Sequence, residues 1–237
     1  MAKLMRVLVA DHVPESQFGI WFLGTGTWAK HVLERALNDL QRLIPNRRPS
    51  YDVVLDIGCG WGRSFKLLHE RFSPRRLIGI DIDPNMLEAS EAEVRGCNLS
   101  VDFLLGSASR IPLPDGSTDL VFCHQTFHHL VHQEAALQEI FRVLKPGGIL
   151  LMAESTRRYI HSWIIRLLFR HDMTVQRTAG EYLAMIRSAG FRVGPGSISY
   201  PYLWWSRPDL GILERVLGIQ PPKDREETLI NLVAVRP

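Results

Sequence analysis

Three glycines at alternate positions, Gly58, Gly60 and Gly62, follow the apolar run "VVLDI" and precede a segment with helical patterning. Glycine permits a sharp turn there and lets a ligand come up against bare backbone. Tight strand-to-helix turns also use glycine for structure alone, but three in alternation at such a junction mark a ligand loop. The dinucleotide fingerprint GxGxxG spends its third glycine on helix packing and seats a pyrophosphate at the helix N-terminus. Here the spacing is GxGxG, and Arg63 stands where that third glycine would fall. Asp56 precedes the loop, and a carboxylate at this edge repels a pyrophosphate and suits a cationic ligand.

Asp81 supplies the companion signal. It ends the apolar run "RLIGID", about 20–25 residues past the loop, the spacing of one βαβ unit. The carboxyl end of a strand in an open α/β sheet faces the ligand crevice, and a carboxylate there accepts both hydroxyl hydrogens of a ribose. Asp83 competes for this role, but Pro84 after it marks Asp83 as a helix cap. Further on, "CHQTFHHLVHQ" offers His124, His128 and His129 for acceptor contact or proton removal, since histidine titrates near neutral pH. His128 is the leading candidate for a base and His124 the second. The bland alternative is that these rings shape a loop and pack. His132 reads as the start of the next helix. No carboxylates or histidines recur at metal-ligand spacing along the chain, so no metal is expected.

The elements that must position these groups alternate. "YDVVLDIG", "RLIGID", "VDFLLGS", "TDLVFCHQTF" and "GGILLMAES" read as buried strands. Between them, "RSFKLLHERF", "NMLEASEAEVRG" and "HQEAALQEIFRVL" read as helices. Such alternation predicts a parallel sheet covered on both faces. Residues 1–50 read as an N-terminal helical extension. It has a short strand "RVLVA" and a helix from Trp28 to Ile44, with Thr27 as its N-cap and Pro45 as its stop. Residues 51–237 form the main domain. Past Ser155, "RRYIHSWIIRLLFRH" predicts one amphipathic helix with Ile160, Trp163, Ile164, Leu167 and Leu168 in a stripe. It could be plain packing, a lid near 157–178, or a helix lying on an anionic membrane. "AGEYLAMIRSAGF" predicts a helix stopped by Gly190, and "RVGPGSISYPYLWW" and "ETLINLVAVRP" predict closing strands. Aromatic groups at Trp21, Phe22, Trp28, Tyr200, Tyr202, Trp204 and Trp205 could wall a pocket or fill a core.

With these motifs in place, the chain resembles the class I S-adenosylmethionine-dependent methyltransferases, most nearly the methyltransferase type 11 group. The resemblance rests on "VLDIGCGWG", "GIDIDPNML", "IPLPDGSTDLVFCHQTFHHL" and "RVLKPGGILL", four motifs in order across residues 50–155. It implies a doubly wound, Rossmann-like α/β fold with seven strands, mostly parallel, the last antiparallel. It also implies S-adenosyl-L-methionine as cofactor, with Asp56, Gly58, Gly60 and Gly62 under its methionine part. Asp81 would bind the ribose and Ile82 would lie beside the adenine. Ser107, with Ala108 beside it, stands where the family usually has an acid for the adenine amino group. A serine hydroxyl can accept that hydrogen bond, without charge assistance.

Methyl transfer from a sulfonium is an in-line displacement that depends on alignment, and it needs a base only when the acceptor keeps a proton that must leave. The expected function is transfer to a small, lipophilic acceptor. Two alternatives stand: a non-catalytic binding module on the same fold, and a nicotinamide-dependent oxidoreductase, which the GxGxG spacing disfavours. The 237 residues carry a net charge of +3 and are 22% charged and 46% hydrophobic. These values suit one soluble domain and carry no nucleic-acid signature. The sequence shows no appended recognition domain and no Asn/Asp-Pro-Pro-aromatic motif after the fourth strand. Cys59, Cys97 and Cys123 form no CxxC pair and read as reduced thiols of a cytoplasmic protein. With no signal peptide or membrane span, any membrane contact would be peripheral.

Overall fold

A computed structural model describes residues 15–97, 99–201, 203, 206–207, 212–219 and 226–237. The strand expected at "RVLVA" and the aromatics Tyr202, Trp204 and Trp205 lie outside the described residues. The strands are β1 (Val53–Ile57), β2 (Arg76–Asp81), β3 (Asp102–Leu105), β4 (Thr118–His124), β5 (Leu144–Ser155), β6 (Ile198–Ser199) and β7 (Leu229–Val235). They form one sheet in the order β3-β2-β1-β4-β5-β7-β6. Strands β1 to β5 pair in parallel, and β7 runs antiparallel to both its neighbours. The seven-stranded, mostly parallel expectation holds. The chain winds outward in opposite directions from the junction of β1 and β4, which opens a crevice above their carboxyl ends.

Alternate strand residues feed two cores. Leu55, Ile57, Val121 and Leu150 face α5 (Gln133–Val143) and α8 (Ala179–Ser188). On the other face Val54, Phe122, Leu151 and Val233 meet α2 (Glu34–Leu43) and α3 (Arg63–Phe72). Leu37 and Leu40 of α2 are fully buried, and Asp39 accepts from Asn231 Nδ2 at 2.8 Å. The helical segment before β1 therefore forms part of one covering layer. Truncating Leu37 to alanine costs about 2–5 kcal/mol by the usual cavity penalty.

Local chemistry sets the element ends. The α4 helix (Pro84–Gly96) is capped by Asp83, whose carboxylate accepts from Asn85 N at 2.9 Å. The α8 helix begins with a Thr178–Glu181 capping box, and Gly190 after it takes φ +100. His132 sits at the start of α5 as expected.

Three expectations are corrected. The first-layer helix is capped by Thr25, not Thr27: Thr25 Oγ1 accepts from Trp28 N, and a π-helical turn at Ala29–Leu33 leads into α2. A separate helix, α1 (Gln17–Leu23), precedes it, capped by Ser16. The segment after Ser155 is two short helices, α6 (Arg157–Ile160) and α7 (Trp163–Leu168), not one. The chain breaks at His161–Ser162, so Ile160 and Ile165 are buried while Trp163 and Leu167 face outward. Among the described residues of "RVGPGSISYPYLWW" the expected strand is confined to Ile198–Ser199, because Pro195 opens a 3₁₀ turn just before it.

Candidate active site

The carboxyl ends of the parallel strands carry the acidic and imidazole groups: Asp56 on β1, Asp81 on β2, His124 on β4 and Glu154 near the end of β5. Between β1 and α3 the loop glycines Gly58, Gly60 and Gly62 take φ +67, +51 and +71. At Gly58 a Cβ would lie 2.3 Å from the Thr126 side chain, so that residue must be glycine on steric grounds as well. At Gly60 a Cβ would meet only the Gly58 carbonyl oxygen, at 4.0 Å, and both residues line a cavity of about 740 Å³. That volume lies in the upper range of small-molecule sites.

Asp81 is rigidly aimed. Its Oδ2 accepts from Gly60 N at 2.8 Å and its Oδ1 from Asp83 N at 3.0 Å. Ile82, Ser107 and Ala108 line the same side of the cavity. The Ser107 hydroxyl lies 2.8 Å from that of Ser109. Asp56 lies deeper, hydrogen-bonded by Ser64 Oγ. Burial pushes its carboxyl up to about 7, against the pull of the Ser64 hydrogen bond and with a smaller push from the Asp81 charge. A cation brought close would reverse that shift.

The histidines divide. His124 lines the cavity, stacked on Phe122 at 5.9 Å and 9°, and its Nε2 has no hydrogen-bond partner among the described residues. Burial, and then the charge of His128, depress it to about 3, so the ring is neutral near pH 7. His128 is buried and does not line the cavity. Its Nδ1 meets Glu154 Oε2 at 2.7 Å. His129 does line the cavity. His171, brought in from the segment after α7, stacks on His129 at 4.8 Å, and burial holds it near 3.

Glu154 is a further residue of the site that the sequence motifs do not single out, although it ends an apolar strand much as Asp81 does. It is fully buried, and its Oε1 accepts from Thr126 N and Phe127 N at 2.9 and 2.7 Å. That fixes the β4–α5 turn. Gln125 in this turn takes φ +52, a conformation that non-glycine residues adopt at a cost of about 1 kcal/mol or more.

A roof covers one side of the cavity. Ile20 and Leu23 of α1, with Trp28 and Leu33, line its upper wall. Trp61 Nε1 donates to Ile20 O at 2.9 Å and Arg63 donates to Gly24 O at 2.9 Å, tying the roof to the glycine loop. Ser16 Oγ donates to Leu168 O at 2.6 Å, and Phe18 meets Phe169 edge-on at 5.6 Å, joining α1 to α7.

Comparison with known proteins fits this geometry. A family model described as a methyltransferase domain matches residues 55–152, which run from β1 into β5. Over these residues the chain is similar to methyltransferase domains. Over 140 residues (59% of the chain) the sequence is 40% identical to a Mycolicibacterium smegmatis protein described as a probable S-adenosylmethionine-dependent methyltransferase. It is 34% identical over 136 residues, 54% of the chain, to a demethylmenaquinone methyltransferase of Deinococcus radiodurans. The chain spans about half the length of these curated relatives, 52% and 56% respectively. In structure it is similar to an S-adenosylmethionine-dependent methyltransferase from Aquifex aeolicus. The TM-score is 0.64 at 20% identity, with 92% of this chain and 97% of the other covered, which speaks for the fold of the methyltransferase domain. All three cysteines are free, and no helix among the described residues is long and apolar enough to cross a membrane.

Proposed function

We propose that the chain is an S-adenosylmethionine-dependent methyltransferase acting on a small, lipophilic acceptor. The observation that carries this reading is one roofed cavity with two unlike sides. One side is polar and backbone-rich, with the bare Gly60, the fixed Asp81 carboxylate and Ser107. The other is apolar, with Ile20, Leu23, Trp28 and Phe122, and it carries His124, whose Nε2 has no partner among the described residues.

The cofactor fits these residues. The Gly60 cradle and the buried acid Asp56 suit an amino acid moiety bearing positive charge, and the Asp81 carboxylate at the cavity wall suits a ribose diol. When bound there, S-adenosylmethionine supplies an electrophilic methyl group on a sulfonium. The protein's task is to hold the acceptor in line with it and to keep water out. The roof of α1 and Trp28 shields one side of the cavity from water, and Asp56 and Asp81 would hold the donor end. His124, neutral and facing the cavity, is placed to hydrogen-bond an acceptor heteroatom. His128 stands behind the wall, held by Glu154, and shapes the turn that carries His129.

The reading is tested by methyl transfer from labelled S-adenosylmethionine to panels of quinols, phenols, amines and lipids. Transfer to an apolar class is expected. Binding of S-adenosylhomocysteine with no transfer to any class would favour a binding module, and tight NADH binding without it would favour an oxidoreductase. A lipophilic acceptor has to be collected from somewhere, and Trp21, Trp163 and Leu167 on the outer face of the roof are 63%, 64% and 73% exposed beside Arg166. Aromatic and basic groups together suit peripheral contact with an anionic membrane.

A further inference from the structure

His128, His129 and His171 converge although 42 residues separate the last two in sequence. One ring nitrogen from each lies within 4.8 Å of the others. The ring centroids are 4.3, 5.1 and 4.8 Å apart. Three imidazoles packed so closely, with no carboxylate in the set, present the donor chemistry of a borderline transition metal and not of magnesium or calcium.

The surroundings are built for coordination. Glu154 already accepts two backbone N–H groups, so its carboxylate is an acceptor toward His128 Nδ1 at 2.7 Å. The Nδ1 of His128 then carries the proton and Nε2 offers its lone pair, the carboxylate–histidine arrangement that orients metal ligands. Two buried amides bind the ligand-bearing segments together. Gln176 Nε2 donates to His128 O at 2.9 Å and to Asp172 O at 2.7 Å. Gln133 Nε2 donates to Phe127 O at 3.2 Å and to Val175 O at 3.0 Å.

We infer that His128, His129 and His171 form a binding site for a divalent transition metal of the zinc class. Zinc–nitrogen bonds of about 2.0–2.1 Å place tetrahedral ligands roughly 3.4 Å apart, so modest side-chain rotation closes the set. Three imidazoles leave a tetrahedral ion a fourth position for water or for an oxygen ligand, and Glu15 Oε2, 3.8 Å from His129 Nε2, lies beside the set. Because His171 follows α7 and the other two lie on the turn after β4, the ion ties the α7 side of the roof to the floor.

The test uses the full chain, without a histidine tag and freed of metal by chelation, titrated with Co²⁺ and then Zn²⁺. The expected result is one Co²⁺ per chain with the intense visible absorption of a four-coordinate site, displaced by Zn²⁺, and a higher Tm with Zn²⁺. His171→Ala and the bulkier His171→Gln should each weaken binding by at least about tenfold, the least that loss of even a supporting residue brings. His161→Ala, at an exposed site in the same segment, should bind as the parent does. Absence of saturable binding by the parent chain overturns the inference whichever variants fold, as does equal binding by the His171 variants. The readout does not depend on methyl transfer, so its failure would leave the proposed activity standing.

Discussion

Asp56→Asn removes a charge that the folded chain holds at a cost. The Asp56 carboxyl moves from an ordinary 3.8 to about 7 on folding, chiefly by burial. A raised carboxyl pKa means the folded state prefers the neutral form, so stability is lost as pH rises from about 4 to about 7 and stays lost above. Below pH 4 the group is protonated in both states and contributes nothing. The shift of about 3 units, at 1.36 kcal/mol each, sets a cost on the order of 4 kcal/mol at pH 8 and roughly half that near pH 5. Asparagine is close in shape and still accepts from Ser64 Oγ, so the variant keeps the site without the charge. Urea unfolding of the ligand-free protein at pH 4, 5 and 8 should show variant and parent nearly equal at pH 4. The variant should be more stable by an amount that grows to a few kcal/mol at pH 8, equivalent to about 8–16 °C in Tm. S-adenosylhomocysteine should bind the variant at least tenfold more weakly, because its ammonium group loses the carboxylate. Parallel stability profiles from pH 4 to 8 would refute the buried-acid argument.

Three further outcomes follow from the same geometry. Gly58→Ala puts a Cβ 2.3 Å from Thr126 at φ +67 and should cost about 2–4 kcal/mol in a denaturant titration; a cost under 0.5 would show that the loop relaxes freely. His124→Phe keeps the stack on Phe122. It should leave S-adenosylhomocysteine affinity within threefold while lowering kcat/KM for the acceptor at least tenfold, and a loss confined to cofactor affinity would move His124 to the other side of the cavity. Replacing Trp21 and Trp163 together by serine should reduce sedimentation with anionic vesicles several-fold without changing cofactor affinity. Unchanged sedimentation would remove the membrane from the account.

Much of the fold was legible because its signals are local. The "RSFKLLHERF" helix and the "RLIGID" strand need only periodicity, and the structure places them at Arg63–Phe72 and Arg76–Asp81. The glycine loop and Asp81 were legible because strand order fixes where a strand's end points. What escaped depends on contacts distant in sequence. Nothing near His171 announces that it meets His129 across 42 residues, and no local pattern shows that His128 turns its Nδ1 to Glu154 and away from the cavity. Glu154 itself was readable in principle, as an acid ending an apolar strand. The 157–171 stripe misled because helical spacing alone does not show a break at His161–Ser162.

The glycine loop and Asp81 are the proposed cofactor site on which methyl transfer depends. Calorimetric titration of S-adenosylhomocysteine into the parent chain and Asp81→Ala, with NADH as the competing ligand, tests it directly. The parent should bind S-adenosylhomocysteine with one site per chain and ignore NADH, and Asp81→Ala should lose at least about thirtyfold, the worth of a charge-assisted diol contact of roughly 2 kcal/mol. Equal affinity in the two chains, or binding of NADH in place of S-adenosylhomocysteine, would contradict it.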